Sequence, residues 1–233
     1  MTINVIATGS SGNLYEIIDS QGSNILLEAG VSRSVFTKYR ESKVIPEMLL
    51  ISHKHGDHSY YANEYEMVCQ VWKWKPTAES KSFKAFGWEV KHGDVLNYAY
   101  LIELKNDNDY LFFATDLEWD DETINPIISD LKMLRKKGIK VEKFLIECNY
   151  NDFLYHKAKP EQRIGNDNHF SDNDLIRFLR ATGVGAPKVI TIHGSDRLLR
   201  DSYTKSYIGA KFPQGKVRVA RGGFKGQKDL FNI

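Results

Sequence analysis

The sequence contains little cysteine, with only Cys69 and Cys148 among 233 residues. Two cysteines are too few for a disulfide framework, and neither belongs to a Cys-x-x-Cys pair. Because such sparse cysteine is typical of a reducing compartment, we expect a cytoplasmic protein.

Long apolar runs and a strong charge imbalance are also missing. No apolar stretch approaches the ~20 residues that span a bilayer, and the chain does not begin like a signal peptide, so we expect neither feature. The 32 Lys and Arg residues nearly cancel the 30 Asp and Glu residues, which leaves a formal net charge of +2. A charge this small does not indicate an extended nucleic-acid-binding surface.

Linkers and repeats are missing as well. No stretch rich in Pro, Gly or Ser divides the chain, and the sequence shows neither an internal repeat nor a low-complexity tract. Hydrophobic residues make up 42% of the chain, enough for a sizeable core. We therefore predict one mixed α/β domain over residues 1–233.

Three histidines and an aspartate cluster directly after an apolar run. Residues 49–51 predict a buried strand, and His53, His55, Asp57 and His58 follow it. Histidines two positions apart project to one side of a turning backbone, and the glycine after them lets the chain aim the next pair at a neighbouring point. This spacing offers two nitrogen ligands for one cation and a carboxylate–imidazole pair for a second. The alternative is a polar surface loop that happens to be rich in histidine.

Other residues with ligand chemistry follow predicted strands. His92 comes after a predicted strand that ends at residue 91. Asp116, Glu147 and His193 likewise follow predicted strands, which cover residues 110–114, 141–146 and 188–192. Ligands in open α/β folds collect beyond the carboxyl ends of strands, so we expect these residues to meet. Structural alternatives stay open, such as a packed histidine at residue 92 and a helix cap at Asp116.

The remaining predicted elements frame these positions. Further strands are predicted over residues 3–7, 14–18, 24–27, 71–74, 98–104 and 216–220, and helices over 32–41, 60–67, 122–137 and from an N-cap at Ser171 to about residue 181. The longest irregular stretch, 150–168, carries Lys157, Lys159 and Arg163, which are either phosphate ligands or part of a solvated basic loop. Residues 222–233 are predicted to be peripheral.

The His-x-His-x-Asp-His pattern resembles the metallo-β-lactamase superfamily, and within it the small phage and bacterial metallo-hydrolases related to ribonuclease Z and to DNA exonucleases. Residues 8–13 (Thr-Gly-Ser-Ser-Gly-Asn), 27–30 (Leu-Glu-Ala-Gly) and 146–149 (Ile-Glu-Cys-Asn) resemble the same branch. The resemblance runs from about residue 3 to about residue 220. It implies a four-layer αββα sandwich of the α/β class.

The resemblance also implies two metal ions that share one carboxylate. Their ligands would be His53, His55 and His92 for one ion, Asp57, His58 and His193 for the other, and Asp116 as the bridge. Glu28 stands where the family usually carries an aspartate behind the ligands, although an ordinary turn residue is an equal alternative. Because imidazole and carboxylate ligands suit Zn²⁺, we expect two zinc ions, with Mn²⁺ as the alternative.

A late histidine separates phosphodiester cleavage from the other reactions of the superfamily. A phosphodiester benefits from an acid that protonates the departing alkoxide. In the ribonuclease Z-like branch a histidine matching His169 takes this part, and an acidic residue matching Glu147 orients it. The predicted catalytic residues are therefore His169 and Glu147, and we add Asp57 from among the predicted metal ligands. The alternative for His169 is a surface imidazole at the start of a helix.

Together these features predict a dinuclear metal-dependent phosphodiesterase that acts on a nucleotide. The chain has no room for a nucleic-acid clamp domain, so a cyclic nucleotide is favoured, and a DNA or RNA nuclease is the alternative. Cyclic-nucleotide phosphodiesterases with which phages degrade host defence signals share this architecture. A hypothesis from another class is a catalytically silent module that binds metal or nucleic acid; the complete ligand set argues against it. Membrane partners are not expected, and a homodimer is left open.

Overall fold

The computed structural model describes residues 1–221 and 229–233. Within these residues the chain forms thirteen strands. In chain order they are β1 (Thr2–Ala7), β2 (Leu14–Ile18), β3 (Asn24–Leu27), β4 (Met48–Ile51), β5 (Gln70–Lys73), β6 (Thr77–Glu79), β7 (Phe83–Val90), β8 (Asn97–Leu104), β9 (Asp109–Ala114), β10 (Lys143–Glu147), β11 (Lys188–Ile192), β12 (Lys216–Val219) and β13 (Asp229–Asn232).

Eight helices connect the strands of the described chain. They are α1 (Arg33–Tyr39), α2 (Gly56–Ser59), α3 (Ala62–Tyr65), α4 (Asp121–Lys136), α5 (Asp152–Lys157), α6 (Pro160–Arg163), α7 (Asp172–Thr182) and α8 (Asp201–Lys211). The predicted N-cap of α7 is confirmed, because the Ser171 side chain accepts a hydrogen bond from Asp174 N. Gly183, in the left-handed conformation, ends the same helix.

The strands form two mixed sheets. The first has six strands in the order β13-β1-β2-β3-β4-β5, and the second has seven in the order β12-β11-β10-β9-β8-β7-β6. In the first sheet β3, β4 and β5 are parallel, and in the second β9 to β12 are parallel. The carboxyl ends of neighbouring parallel strands meet at one edge, so the residues that follow β9, β10 and β11 are brought together.

Apolar side chains fill three layers around the sheets. Residues from both sheets, such as Leu27, Leu50 and Phe113, pack between them. The outer face of the first sheet packs on α1 and α3, and the outer face of the second packs on α4, α7 and α8. The expected four-layer αββα sandwich is therefore confirmed.

Some sequence predictions need correction. Residues 60–67 do not form one helix, because the chain turns between α2 and α3 and again after Tyr65. The stretch 150–168 contains two short helices, α5 and α6, and the helix α8 was not expected. The segment predicted as peripheral contributes β13, which pairs with β1 at the sheet edge; residues 222–228 of that segment lie outside the described residues.

Within residues 1–221 and 229–233, no helix is long and apolar enough to cross a membrane.

Candidate metal centre

The histidine motif lies in the loop and short helix that follow β4. His53 is in the loop, His55 is the N-cap of α2, and Asp57 and His58 lie inside that helix. The turn after β3 packs directly on α2, because a Cβ atom on Gly30 would lie 1.7 Å from the backbone oxygen of Asp57. Only glycine permits this close approach, which holds α2 against the end of the first sheet.

The second sheet supplies the other predicted ligands from the ends of its strands. His92 follows β7, Asp116 follows β9 and His193 follows β11. Asp116 and His193 both have a φ of +53°, a left-handed conformation that non-glycine residues rarely adopt. Such backbone strain concentrates at functional sites, and here it turns both side chains toward the first sheet.

One half of the cluster contains three imidazoles and a carboxylate. His53 Nε2 lies 3.0 Å from His55 Nδ1 and 3.3 Å from Asp116 Oδ2. His92 Nε2 lies 3.3 Å from the same carboxylate oxygen. Four potential ligand atoms, from His53, His55, His92 and Asp116, all lie within 4.8 Å of one another. We call this group the three-histidine half.

The other half contains two imidazoles and two carboxylates. His58 Nε2 lies 3.2 Å from Asp57 Oδ2 and 3.5 Å from Asp116 Oδ1. His193 Nε2 lies 3.3 Å from Asp57 Oδ2. The two oxygens of Asp116 thus face different halves, which is the arrangement of a bridging carboxylate. We call the group of Asp57, His58, His193 and the shared Asp116 the two-histidine half.

Most of these imidazoles use their second nitrogen for a contact that orients the ring. Ser52 Oγ lies 2.9 Å from His53 Nδ1, and the backbone oxygen of Asn168 lies 3.2 Å from His92 Nδ1. In the two-histidine half the neighbours are carboxylates: Glu147 lies 3.1 Å from His193 Nδ1, and Glu28 makes a longer ionic contact of 3.5 Å with His58 Nδ1, which has no hydrogen-bond partner among the described residues. Partners of this kind fix the tautomer of a metal-binding histidine and leave Nε2 free.

The geometry fits metal binding. Two ligand atoms at ~2.1 Å from one ion, at the tetrahedral angle, are about 3.4 Å apart. The contacts between ligand atoms within each half measure 3.0 to 3.5 Å. The donors are imidazole nitrogens and carboxylate oxygens without a thiolate, a set that suits Zn²⁺ or Mn²⁺. The His/Asp cluster therefore suggests a metal site.

The charges of the cluster also favour a cation. Burial alone would lower the pKa of His58, but Asp116, Asp57 and Glu28 raise it to about 10. Burial alone would raise the pKa of Asp116, but the histidines around it hold that pKa well below its ordinary value. The buried carboxylates thus attract positive charge, which a proton or a metal ion can supply.

His169 lies beside both halves and is held by Glu147. Its Nδ1 donates a 2.6 Å hydrogen bond to Glu147 Oε1, and its ring centroid is 5.2 Å from that of His92 and 5.3 Å from that of His193. Burial lowers the pKa of His169, but Glu147 outweighs burial and raises it above the ordinary value. Glu147 is itself fixed by hydrogen bonds from the backbone of Leu117 and Phe170.

A cavity of about 390 Å³ opens next to His169 and His193. Its walls come from the turn after β1, the loop before α7 and the loop after β11, and the residues that line it include Ser10, Asn149, Gln162, Ile164, Asn166, Ser195 and Arg197. Its volume lies within the range of small-molecule sites. A substrate in this cavity would therefore contact the edge of the cluster that carries His169.

The structure brings together every predicted ligand and catalytic residue, but not the basic residues of 150–168. The Arg163 guanidinium donates to the backbone oxygens of Ala158 and His156. Lys157 lies over the Phe153 ring, and neither of these cations nor Lys159 lines the cavity. The solvated-loop alternative describes these three residues better than the phosphate-ligand alternative.

Residues 8–13 resemble the ribonuclease Z-related branch in sequence, but the sequence does not show which of them contacts the cluster. Asn13 Nδ2 lies 3.1 Å from His58 Nε2 and 3.4 Å from Asp57 Oδ2. An asparagine that follows a glycine-rich turn resembles an ordinary turn residue in the sequence. Only its position in the folded chain shows that it supports the two-histidine half.

Comparison with known proteins supports the fold. No protein-family model and no curated protein matches the sequence. Among solved structures, the metallo-β-lactamase fold protein YhfI from Bacillus subtilis matches with a TM-score of 0.67 at 14% identity, over 99% of each chain. A diphosphatase from the PhnP family matches with a TM-score of 0.61 at 13% identity, over 100% of this chain and 98% of that one. The chain therefore has the metallo-β-lactamase fold.

A third structure shows how widely the chemistry of this fold varies. CmlA, a diiron β-hydroxylase from Streptomyces venezuelae, matches with a TM-score of 0.57 at 11% identity, over 100% of this chain and 54% of that one. A fold that serves a diphosphatase and a hydroxylase does not determine the reaction. The reaction depends instead on the side chains of the site.

Proposed function

We propose that the protein is a dinuclear metal-dependent phosphodiesterase, a hydrolase that cleaves a nucleotide phosphodiester. The observation that carries this proposal is the pair of His169 and Glu147 beside the cluster. Because the pKa of Glu147 is held low by the histidines around it, despite its burial, Glu147 is an acceptor and His169 must donate from Nδ1. The Nε2 atom of His169 is then the one that exchanges a proton with substrate.

Different side chains would bind the metal ions, donate a proton and position the ligands. The residues of the three-histidine half, the two-histidine half and Asp116 would hold two ions, which supply Lewis acidity and a nucleophile at neutral pH. Water gives up one proton to the solvent and adds to phosphorus as hydroxide, while the bond between phosphorus and the leaving oxygen breaks. His169 gives its Nε2 proton to that oxygen, and Glu147 stabilises the imidazolium before the transfer. Asp57 touches both His58 and His193 and so positions these two ligands relative to each other.

An acid in this position suits the cleavage of phosphodiesters. Alkoxide leaving groups of nucleotides are poor, so their departure gains from protonation. The likeness to a PhnP-family diphosphatase supports phosphoryl chemistry on this fold. Zinc is the metal we propose, with manganese as the alternative, on the basis of the donor set.

Within this class we propose a small nucleotide, with cyclic nucleotides favoured over a DNA or RNA end. The cavity is bounded by three loops and has the volume of a small-ligand site. The aromatic rings of Phe153, Tyr203 and Tyr207 form a series on α5 and α8, but they pack on one another: Tyr203 stacks on Tyr207, and Phe153 is tilted against Tyr203. Lys157 and Lys211 lie over the outer rings, so this series presents few open ring faces for the bases of a strand.

A substrate panel tests the proposal. Purified protein loaded with Zn²⁺ or Mn²⁺ is assayed on cyclic mononucleotides, bis-p-nitrophenyl phosphate, single-stranded DNA and a β-lactam. We expect chelator-sensitive hydrolysis of the phosphodiesters and the highest kcat/KM on a cyclic nucleotide. Efficient β-lactam turnover with intact phosphodiesters would refute the proposal. Cleavage of DNA alone would establish the nuclease alternative, and metal binding without any turnover would establish the silent module.

A further inference from the structure

A chain of buried and partly buried hydrogen bonds connects the two sheets behind the two-histidine half. On the side of the second sheet, the backbone N–H of His193 donates to Thr8 Oγ1 at 2.7 Å. Thr8 Oγ1 lies 2.9 Å from the Tyr15 hydroxyl, which donates to Asn13 Oδ1 at 2.9 Å. Thr8, Asn13 and Tyr15 belong to the first sheet and its turn.

The direction of every bond in this chain is determined. Thr8 accepts from a backbone amide and Tyr15 gives its proton to Asn13, so Thr8 must donate to Tyr15. Asn13 Oδ1 also accepts from Gly9 N at 2.9 Å, which fixes the orientation of the side-chain amide. A series of donors that all point the same way is strengthened by mutual polarisation.

The other end of the chain supports the ligands of α2. With its oxygen fixed, the Asn13 amide nitrogen lies 3.2 Å from the backbone oxygen of Asp57 and 3.1 Å from His58 Nε2. The backbone N–H of Asn13 donates to the same Asp57 oxygen at 2.8 Å. The series therefore begins at one ligand of the two-histidine half, His193, and ends at the backbone oxygen of another, Asp57, in the short helix that also carries His58.

Tyr15 occupies the centre of this series and is held rigidly. Its side chain is fully buried between the sheets, and its ring packs against Phe113 at 5.8 Å between centroids. Burial, together with the nearby Glu28 and Asp116, raises the pKa of Tyr15 well above its ordinary value, so the hydroxyl keeps its proton. Tyr15 touches none of the proposed ligands directly.

We infer that Tyr15 is a positioning residue for the two-histidine half: its hydroxyl, through Thr8 and Asn13, sets His193 relative to Asp57 and His58. The inference rests on the proposed dinuclear centre but not on its substrate. Among the described residues, the histidines of the three-histidine half make no hydrogen bond to Thr8, Asn13 or Tyr15, and Ser52 and Asn168 orient His53 and His92 instead. Loss of the Tyr15 hydroxyl should therefore weaken one metal site and spare the other.

The test measures metal affinity in two variants that break the series at different points. Tyr15→Phe removes the hydroxyl and keeps the ring, and Thr8→Val removes the acceptor for His193 N with little change in shape. Tyr100→Phe is the matched control, because Tyr100 is equally buried in the same core and its hydroxyl bonds to Lys75 O instead. The metal-free proteins are titrated with Zn²⁺ against a chelating indicator, which resolves the two dissociation constants.

We expect Tyr15→Phe and Thr8→Val to weaken one Zn²⁺ site by ~10–100-fold and to leave the other unchanged. Tyr100→Phe should retain both wild-type constants, even if its melting temperature falls as much as that of Tyr15→Phe. Unchanged constants in Tyr15→Phe, equal weakening of both sites, or the same loss in Tyr100→Phe would overturn the inference. Wild-type protein that binds no metal would overturn the dinuclear centre as well. Wild-type protein that binds two ions but hydrolyses no phosphodiester would refute only the proposed function.

Discussion

The two halves of the cluster share Asp116 but have different electrostatics. In the three-histidine half, burial and neighbouring imidazoles lower the pKa of His55 and His92. In the two-histidine half, burial also disfavours charge, but Asp116, Asp57 and other carboxylates outweigh it and raise the pKa of His58 and His193. The imidazoles of His55 and His92 are therefore neutral near pH 7, whereas the carboxylates of the two-histidine half form an anionic pocket.

The same contrast appears in the groups that orient the rings. Neutral oxygens, from Ser52 and Asn168, stand behind His53 and His92. Carboxylates, from Glu28 and Glu147, stand behind His58 and His193. A carboxylate behind a histidine increases the basicity of the ligand, so the two ions should differ in their sensitivity to substitutions around them.

The largest effect is expected for the residue that both halves use. Asp116→Ala removes an oxygen from each half, so we expect fewer than two ions per chain and a loss of phosphodiesterase activity of ~10³-fold or more. Elemental analysis and hydrolysis of bis-p-nitrophenyl phosphate measure both quantities. Asp94→Ala is the control, because Asp94 is an exposed aspartate two residues from His92 and outside the cluster. An unchanged metal content in Asp116→Ala would show that the two halves do not depend on a bridge.

Substitutions confined to one half should each remove one ion. His55→Ala belongs to the three-histidine half and His193→Ala to the two-histidine half, and each should weaken its own site by ~10²-fold or more. Metal titration of the two variants, alone and combined, measures this. His156→Ala, at an exposed histidine outside the cluster, should bind like the wild type. If either single variant loses both ions, the halves are not separate sites.

His169→Ala should affect the reaction and not the metals. Without the acid, cleavage of substrates with poor alkoxide leaving groups should slow by ~10²–10⁴-fold. Esters that release p-nitrophenolate need little protonation and should suffer much less. Comparing kcat/KM for the two classes, with metal content measured in parallel, tests this role. Equal losses on both classes, or a lost ion, would assign His169 a structural or ligand role.

The smallest effect is expected at Glu28. Glu28→Gln keeps the shape but removes the charge behind His58, so we expect the affinity of the two-histidine half to fall ~10-fold while the other half is unchanged. Glu16→Gln is the control, because Glu16 is a buried glutamate of the same sheet that bonds to Asn4 and to the backbone of Glu41. Wild-type Zn²⁺ dissociation constants in Glu28→Gln would show that Glu28 is an ordinary turn residue without a role in metal binding.

Strands and ligand residues that are marked by a short local sequence pattern could be predicted. The bounds of β2, β3 and β11 agree with the predicted strands, because each is a short apolar run between turn residues. The ligands could be predicted because imidazole and carboxylate groups directly follow such runs. The helix α8 was missed because it buries only Thr204 and Ile208, which leaves almost no apolar periodicity to detect.

Contacts between distant segments could not be predicted in the same way. The sequence around Tyr15 is typical of an apolar strand. No local pattern indicates that its hydroxyl is linked through Thr8 to His193, which lies 178 positions later in the chain. Arg163 resembles a phosphate ligand until the fold directs its guanidinium to backbone oxygens of its own loop. Both outcomes depend on tertiary packing, which a single sequence does not specify.

The proposed function requires a catalytic centre of two ions, and one titration tests this requirement. Metal-free protein receives Zn²⁺ in steps while hydrolysis of bis-p-nitrophenyl phosphate is followed. We predict that activity is absent without metal, rises with added Zn²⁺ and saturates at two equivalents per chain. Saturation at one equivalent, or no phosphodiester hydrolysis at any metal concentration, would contradict the account.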